Sequence, residues 1–142
     1  MARILVVDDD TCILALVRRI LIAAGHSVEF TDHGSAVVAL VDSFRPDLIV
    51  TDIFMPEVDG LEVIRLVRAF DNSIRIIVMS GNHLELLSRY GHPGWPYYLR
   101  AAQCMGANSA LRKPFSPEEL LAAIASEMKR RPSLKAARQL RK

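Results

Sequence analysis

The sequence predicts an α/β fold with a parallel sheet covered by helices on both faces. Short apolar runs rich in β-branched residues alternate with longer segments in which apolar residues recur at helical spacing. The clearest run, residues 48–51, leads straight into the carboxylate of Asp52, and so apolar a strand is typical of sheets buried on both faces. Strand–helix alternation implies parallel strands joined by right-handed crossovers.

Length and composition indicate one globular domain. The chain has 142 residues, of which half are hydrophobic and a quarter charged. No apolar run is long enough to span a bilayer, and the amino terminus leads directly into a strand-like segment. We therefore expect a cytoplasmic protein without a signal peptide. Cys12 and Cys104 lie in apolar helical patterns, so we expect both to be reduced and buried.

The charge is divided unevenly along the chain. Residues 1–128 hold 11 Lys/Arg and all 16 Asp/Glu, a net charge of −5, whereas residues 129–142 hold 7 basic residues and no acid. The interpretations of this basic tail are a solvated end or a contact with nucleic acid, an acidic membrane surface or an acidic partner. It is far too short to be a helix-turn-helix output domain, so we expect no dedicated nucleic-acid-binding domain.

Five strands are predicted, at about residues 4–7, 28–30, 48–51, 74–79 and 108–111. The second alternates apolar and polar residues, which predicts a position near the sheet edge.

Five helices are predicted to begin near residues 11, 37, 61, 97 and 117. Gly25 suits a left-handed stop after the first helix, and Ser35 is expected to cap the second. Arg65 and Arg68 are placed on the solvent side of the third. Ser116 and Pro117 mark a strong start for the last.

Chemistry-bearing residues follow four of the five strands: Asp8 and Asp9, Asp52, Ser80, and Lys113. Because the carboxyl ends of parallel strands lie at one edge of a sheet, we expect these side chains to converge. Three close carboxylates repel one another, and a hard divalent cation such as Mg²⁺ relieves the repulsion. The sequence thus predicts a Mg²⁺ site at Asp8, Asp9 and Asp52.

The remaining groups complete a set suited to phosphoryl transfer onto Asp52. Lys113 can pair with Asp52 at rest or with an incoming phosphoryl group, and the Ser80 hydroxyl can donate a hydrogen bond to a phosphoryl oxygen. Catalysis of this kind depends mainly on positioning and charge neutralisation.

With these groups in this order, the chain resembles a response regulator receiver domain of the CheY-like superfamily, and a single-domain response regulator is one interpretation. The motifs match in order over about residues 3–128, and together they are highly specific. They are Val6-Val7-Asp8-Asp9, Asp52 with Met55-Pro56 and Asp59-Gly60, Met79-Ser80, Gly106-Ala107, and Lys113-Pro114-Phe115.

The resemblance implies a flavodoxin-like (CheY-like) three-layer sandwich with strand order 2-1-3-4-5. It implies that Asp52 accepts a phosphoryl group from a sensor histidine kinase or a histidine phosphotransfer protein. Asp9 would bind Mg²⁺ directly and Asp8 through water, with Asp52 and the backbone carbonyl of Phe54 as further ligands. Such a protein is a phosphoacceptor that assists its own phosphotransfer and autodephosphorylation, and is not an enzyme in the usual sense.

Two features depart from the family pattern. The family carries an aromatic ring in the last strand, three positions before the lysine, where this chain has Ala110. In addition, roughly eleven extra residues separate Ser80 from Lys113, by resemblance, and the insertion falls at about residues 82–96. We hypothesise that the aromatic residues at the end of this loop, Trp95, Tyr97 and Tyr98, form a partner surface or replace the missing ring; a loop that packs its own aromatics down is equally compatible.

Phe54, two residues after Asp52, could shield an acyl phosphate from water. The resemblance also implies that the fourth helix, fifth strand and fifth helix form the partner face, with a homodimer as one option.

The resulting prediction is a receiver domain at residues 1–130 and a flexible basic tail at residues 131–142. It acts as a phosphorelay switch through protein contacts. One alternative is a phosphorylation-independent binding module on the same fold, which Ala110 favours. A Mg²⁺-dependent phosphohydrolase is disfavoured because Phe54 stands where a second Asp would act as acid/base.

Overall fold

The computed structural model describes residues 1–55, 57–80 and 94–130, with the backbone alone described at residues 80 and 94–96. Most of the predicted insertion and all of the basic tail therefore lie outside the described residues, as does Pro56 of the Met55-Pro56 motif. Within the described part of the chain, no helix is long and apolar enough to cross a bilayer.

Five strands form one parallel sheet in the order β2-β1-β3-β4-β5. Their bounds are β1 Arg3–Val7, β2 Ser27–Thr31, β3 Leu48–Asp52, β4 Arg75–Ser80 and β5 Ser109–Arg112. The predicted α/β class and the strand order implied by the resemblance are both confirmed. The alternating strand β2 is at the sheet edge, whereas all five residues of β3 are buried.

Five α-helices connect and flank the strands within the described residues. They are α1 Thr11–Ala23, α2 Val37–Phe44, α3 Gly60–Phe70, α4 Gly94–Met105 and α5 Pro117–Lys129, with a 3₁₀ turn at Gly34–Ala36. Two apolar clusters, one on each sheet face, complete the three layers: one contains Ile49 and Val63 of α3, the other Val50 and Leu120 of α5.

Local side-chain chemistry fixes the start of several helices. Asp10 accepts hydrogen bonds from the backbone amides of Cys12 and Ile13 at the start of α1, and Ser116 accepts from the amide of Glu119 at the start of α5. Gly25 has φ +90°, which agrees with the expected left-handed stop.

Some local expectations are wrong. Ser35 does not cap α2; it lies inside the 3₁₀ turn, and Ala36 takes the cap position without a side-chain hydrogen bond. Cys12 and Cys104 are exposed, because the apolar stripes of their helices face the sheet through other positions. In α1 those buried positions are Leu14, Val17 and Leu21.

Candidate functional site

The candidate site lies at the carboxyl edge of the sheet, where the chain leaves β1, β3 and β5. Asp8 and Asp9 follow the last residue of β1, Asp52 is the last residue of β3, and Lys113 follows the last residue of β5. Ser80 ends β4 at the same edge, and its side chain is outside the described part of the structure. The predicted convergence of strand ends therefore holds for the backbone of every member.

The three carboxylates come together as a group. Asp8, Asp9 and Asp52 each offer an oxygen, and these oxygens all lie within 4.8 Å of one another. Asp8 is fully buried, Asp52 is 7 % exposed, and Asp9 is exposed. Hard oxygen donors in a partly open cluster suit a cation that keeps several waters, which is the preference of Mg²⁺.

Lys113 provides the positive charge of the site. Its Nζ lies 2.5 Å from Oδ2 of Asp8 and 3.5 Å from Oδ2 of Asp52. The pairing with Asp52 that the sequence predicted is present. The shorter contact to Asp8, which the sequence did not predict, gives that fully buried carboxylate a counter-charge. Asp8 also accepts a hydrogen bond from the backbone amide of Asp10, 3.0 Å away, through Oδ1.

Asp52 has an unusual protonation equilibrium. Burial raises its pKa to about 6; Lys113 opposes this shift, and the charges of Asp8 and Asp9 add to it. The backbone amide of Phe54 also opposes the shift, because an amide dipole near the carboxylate favours its charged form. Even so, Asp52 is mainly ionised at neutral pH, so it is available as a nucleophile.

The backbone around Asp52 is tightly enclosed. The amide of Ile53 donates to the carbonyl of Met79 over 3.1 Å, and the amide of Gly60 donates to the carbonyl of Ile53 over 2.7 Å. A Cβ atom at Gly60 would lie 2.2 Å from the Asp52 carbonyl oxygen, so only glycine permits this approach of α3 to β3. Asp59 caps α3 by accepting from the amide of Glu62.

Sequence reasoning passed over the Asp59 cap, although the spacing of Asp59 and Glu62 is the signal of a capped helix start. It also left out the contact that Phe54 makes beyond the site. The Phe54 ring packs edge-on against the ring of Tyr98 in α4, with 4.9 Å between centroids. The sequence analysis singled out Tyr98 at the end of the insertion, but no sequence signal pairs it with Phe54.

The five-stranded parallel sheet and the charged groups at its carboxyl edge define the class of response regulator receiver domains, and the comparisons with known proteins agree. The family model described as response regulator receiver domain matches residues 4–125. The chain belongs to this family.

Individual relatives give the same result. The response regulator MprA of Mycolicibacterium vanbaalenii is 38% identical over 128 residues, which cover 90% of this chain and 51% of that protein. The chain thus spans about half the length of the curated relatives it matches, including MprA of Mycobacterium avium at 37% identity.

Solved structures also share the fold. A CheY-like receiver domain protein from Methanospirillum hungatei superposes with a TM-score of 0.78 at 25% identity, covering 90% of this chain and 94% of that one. The chemotaxis protein CheY4 of Vibrio cholerae gives 0.77 at 29% identity, covering 89% and 98%. The chain is therefore a receiver domain of the two-component signalling type.

Proposed function

We propose that this receiver domain is a phosphoacceptor switch that takes a phosphoryl group onto Asp52 and signals through protein contacts. The observation that carries the proposal is the position of Asp52, buried at the end of β3 with two carboxylates within 4.8 Å and the ammonium group of Lys113 at 3.5 Å. A structural ion pair alone would not require the third, exposed carboxylate of Asp9.

The proposed donor is a phosphohistidine on a sensor histidine kinase or a histidine phosphotransfer protein. An Oδ atom of Asp52 attacks the phosphorus, a P–O bond forms, and the P–N bond breaks with its electron pair returning to the imidazole nitrogen. The ammonium group of Lys113 contacts both Asp8 and Asp52, so it can shift toward the phosphoryl oxygens and stabilise the negative charge on them. Ser80, at the end of β4, is proposed to donate its hydroxyl to one of them.

The donor set fits Mg²⁺, which we propose is held by Asp9 and Asp52, by the backbone carbonyl of Phe54, and by Asp8 through water. When bound, the cation would neutralise charge on the transferring group. Slow transfer of the phosphoryl group from Asp52 to water would be the autodephosphorylation of the domain. We assign the switch to residues 1–130, with an insertion at about residues 82–96 and a basic tail at residues 131–142, in a cytoplasmic setting.

The test is phosphorylation in vitro. The protein is incubated with Mg²⁺ and acetyl phosphate, and the intact mass is measured. One phosphoryl group should be gained by the wild type and none by Asp52→Asn. Asp32→Asn is the matched control, because Asp32 follows β2 at the same sheet edge yet is exposed and belongs to no carboxylate cluster in the described residues.

The Mg²⁺ assignment is tested in the same assay. Asp9→Asn should slow phosphorylation by at least about tenfold, since it removes a charged ligand from a metal-assisted transfer. A wild type that gains no phosphoryl group would contradict the proposal and favour the phosphorylation-independent binding module, for which Ala110 in β5 is the supporting feature. If the wild type is phosphorylated equally fast with and without a chelator, the Mg²⁺ assignment is contradicted while the phosphoacceptor proposal stands.

A further inference from the structure

A series of ring contacts leads from Phe54, which lies two residues after Asp52, to the surface of α4. The Phe54 ring meets the Tyr98 ring at 4.9 Å between centroids and an interplanar angle of 73°. Tyr98 in turn meets Tyr97 at 5.2 Å and 90°, and Tyr97 is 57 % exposed.

Both ring pairs have the edge-to-face geometry that aromatic side chains favour. Such a pair depends on angle as well as on distance, so a shift of one ring changes the preferred position of the next. Phe54 and Tyr98 are both half-buried and pack on the same apolar cluster as Ala110 of β5. Because Ala110 is small, these two rings supply the aromatic surface on this side of the sheet.

We propose that Tyr98 is a positioning residue for the Asp52 site, which holds Phe54 beside the carboxylate and transmits the occupancy of that site to exposed Tyr97. This inference rests on the proposed function. It identifies Tyr98 as the residue that sets the lifetime of the phosphorylated state, and it gives a route by which phosphorylation of Asp52 changes α4.

Two consequences follow from the geometry. First, hydrolysis needs water to attack the phosphorus, so that the bond between phosphorus and the Asp52 oxygen breaks and inorganic phosphate leaves. A Phe54 ring kept in place by Tyr98 restricts that water, whereas a released ring does not. Second, phosphorylation changes the size and charge of the group two residues before Phe54, so it should move both rings and α4 with them.

The chain contains its own probe. Trp95 is the single tryptophan and belongs to α4, three residues before Tyr98. Its fluorescence is recorded while Mg²⁺ and acetyl phosphate are added, and the intact mass gives the phosphorylated fraction. After removal of the donor, the decay of that fraction gives the lifetime.

Wild type and Tyr98→Phe should both show a fluorescence change that follows the phosphorylated fraction. Tyr98→Leu should be phosphorylated on Asp52 but lose the fluorescence change. Its phosphorylated state should decay about two to ten times faster, the rate equivalent of one edge-to-face ring pair. Phe70→Leu is the matched control, since Phe70 is an exposed ring at the end of α3, and it should behave as the wild type.

A double-mutant cycle separates positioning from general loss of packing. Phe54→Leu should shorten the lifetime as Tyr98→Leu does, and the double variant should be no faster than either single one, because one contact is removed in all three. Additive effects would overturn the inference, as would an equal effect of Phe70→Leu. A wild type that is phosphorylated with no change in Trp95 fluorescence overturns the route to α4 while the proposed function stands. A wild type that is not phosphorylated overturns both.

Discussion

The carboxylate of Asp52 lies in an unfavourable electrostatic environment, because it is buried next to two other carboxylates. Lys113 does not compensate fully, since its short contact is to Asp8. The result is a pKa of about 6, against an ordinary value of 3.8, with burial as the main cause. The proposed phosphoacceptor therefore costs stability in the resting state.

This cost predicts a pH dependence. Between about pH 4 and pH 6, Asp52 is protonated in the folded protein but ionised in the unfolded chain. The free energy of unfolding therefore falls as the pH rises through this range, and the stabilising contribution of the protonated form is lost as the pH passes 6. In metal-free buffer, Asp52→Asn should match the wild type near pH 4. At pH 7 it should be more stable by about 1 to 3 kcal/mol, because one pKa unit corresponds to about 1.4 kcal/mol.

Urea unfolding at several pH values measures this difference. Asp42→Asn is the control, since it changes an exposed carboxylate on α2 and should alter the free energy of unfolding by less than about 0.5 kcal/mol. A wild type as stable as Asp52→Asn at pH 7 would show that Lys113 and solvent compensate the buried charge.

At the scale of elements, the site depends on how closely α3 approaches the end of β3. Gly60→Ala would place a Cβ atom 2.2 Å from the Asp52 carbonyl oxygen and 2.6 Å from Cα of Ile53. Both neighbours are backbone atoms and cannot rotate away. We expect a loss of about 2 to 4 kcal/mol in the free energy of unfolding, and slower phosphorylation because the carboxylate moves with its backbone.

Gly25→Ala distinguishes this crowding from the cost of an unusual backbone angle. Gly25 has φ +90°, but a Cβ atom added there would meet nothing within 4 Å, so its replacement should cost about 1 to 2 kcal/mol. It should leave phosphorylation unchanged. Equal rates of phosphorylation for Gly60→Ala and Gly25→Ala would contradict the role of the close approach.

The sequence was sufficient for elements whose apolar pattern is local. The buried run of β3 and the strand–helix alternation predicted the parallel sheet, and parallel strands then predicted that Asp8, Asp52 and Lys113 converge. Side chains that bind across the fold were not predictable in this way. Arg68 was assigned to the solvent side of α3, yet it is half-buried and donates to the carbonyls of Gly106 and Ile74. The reach of so long a side chain to the end of α4 depends on tertiary packing, which helical spacing does not reveal.

The same distinction applies to the site. Which strand ends meet is a property of topology, and a sequence pattern reveals it. Which carboxylate receives the ammonium group of Lys113 depends on relative burial, and the contact of Phe54 with Tyr98 depends on how α4 packs after the insertion. Neither follows from spacing along the chain.

At the scale of the whole molecule, residues 1–128 carry a net charge of −5, and three of the acids are concentrated at one edge of the sheet. The unfolded chain lacks this cluster, so a cation that binds there binds the folded state selectively. Mg²⁺ should therefore raise the melting temperature, with a gain in stability that grows with its concentration and reaches about 2.7 kcal/mol at 100 times the dissociation constant.

The gain should be smaller below about pH 6, because protonation of Asp52 removes one of the ligands and competes with the metal. Thermal unfolding with MgCl₂, and with NaCl at matched ionic strength, measures the effect and removes general screening from it. Asp9→Asn should lose most of the gain while keeping the fold, since Asp9 is the exposed member of the cluster. If Mg²⁺ stabilises Asp9→Asn as much as the wild type, the cation binds elsewhere on this acidic domain. The repulsion among the three carboxylates would then lower the stability of the folded protein with no bound metal to offset it.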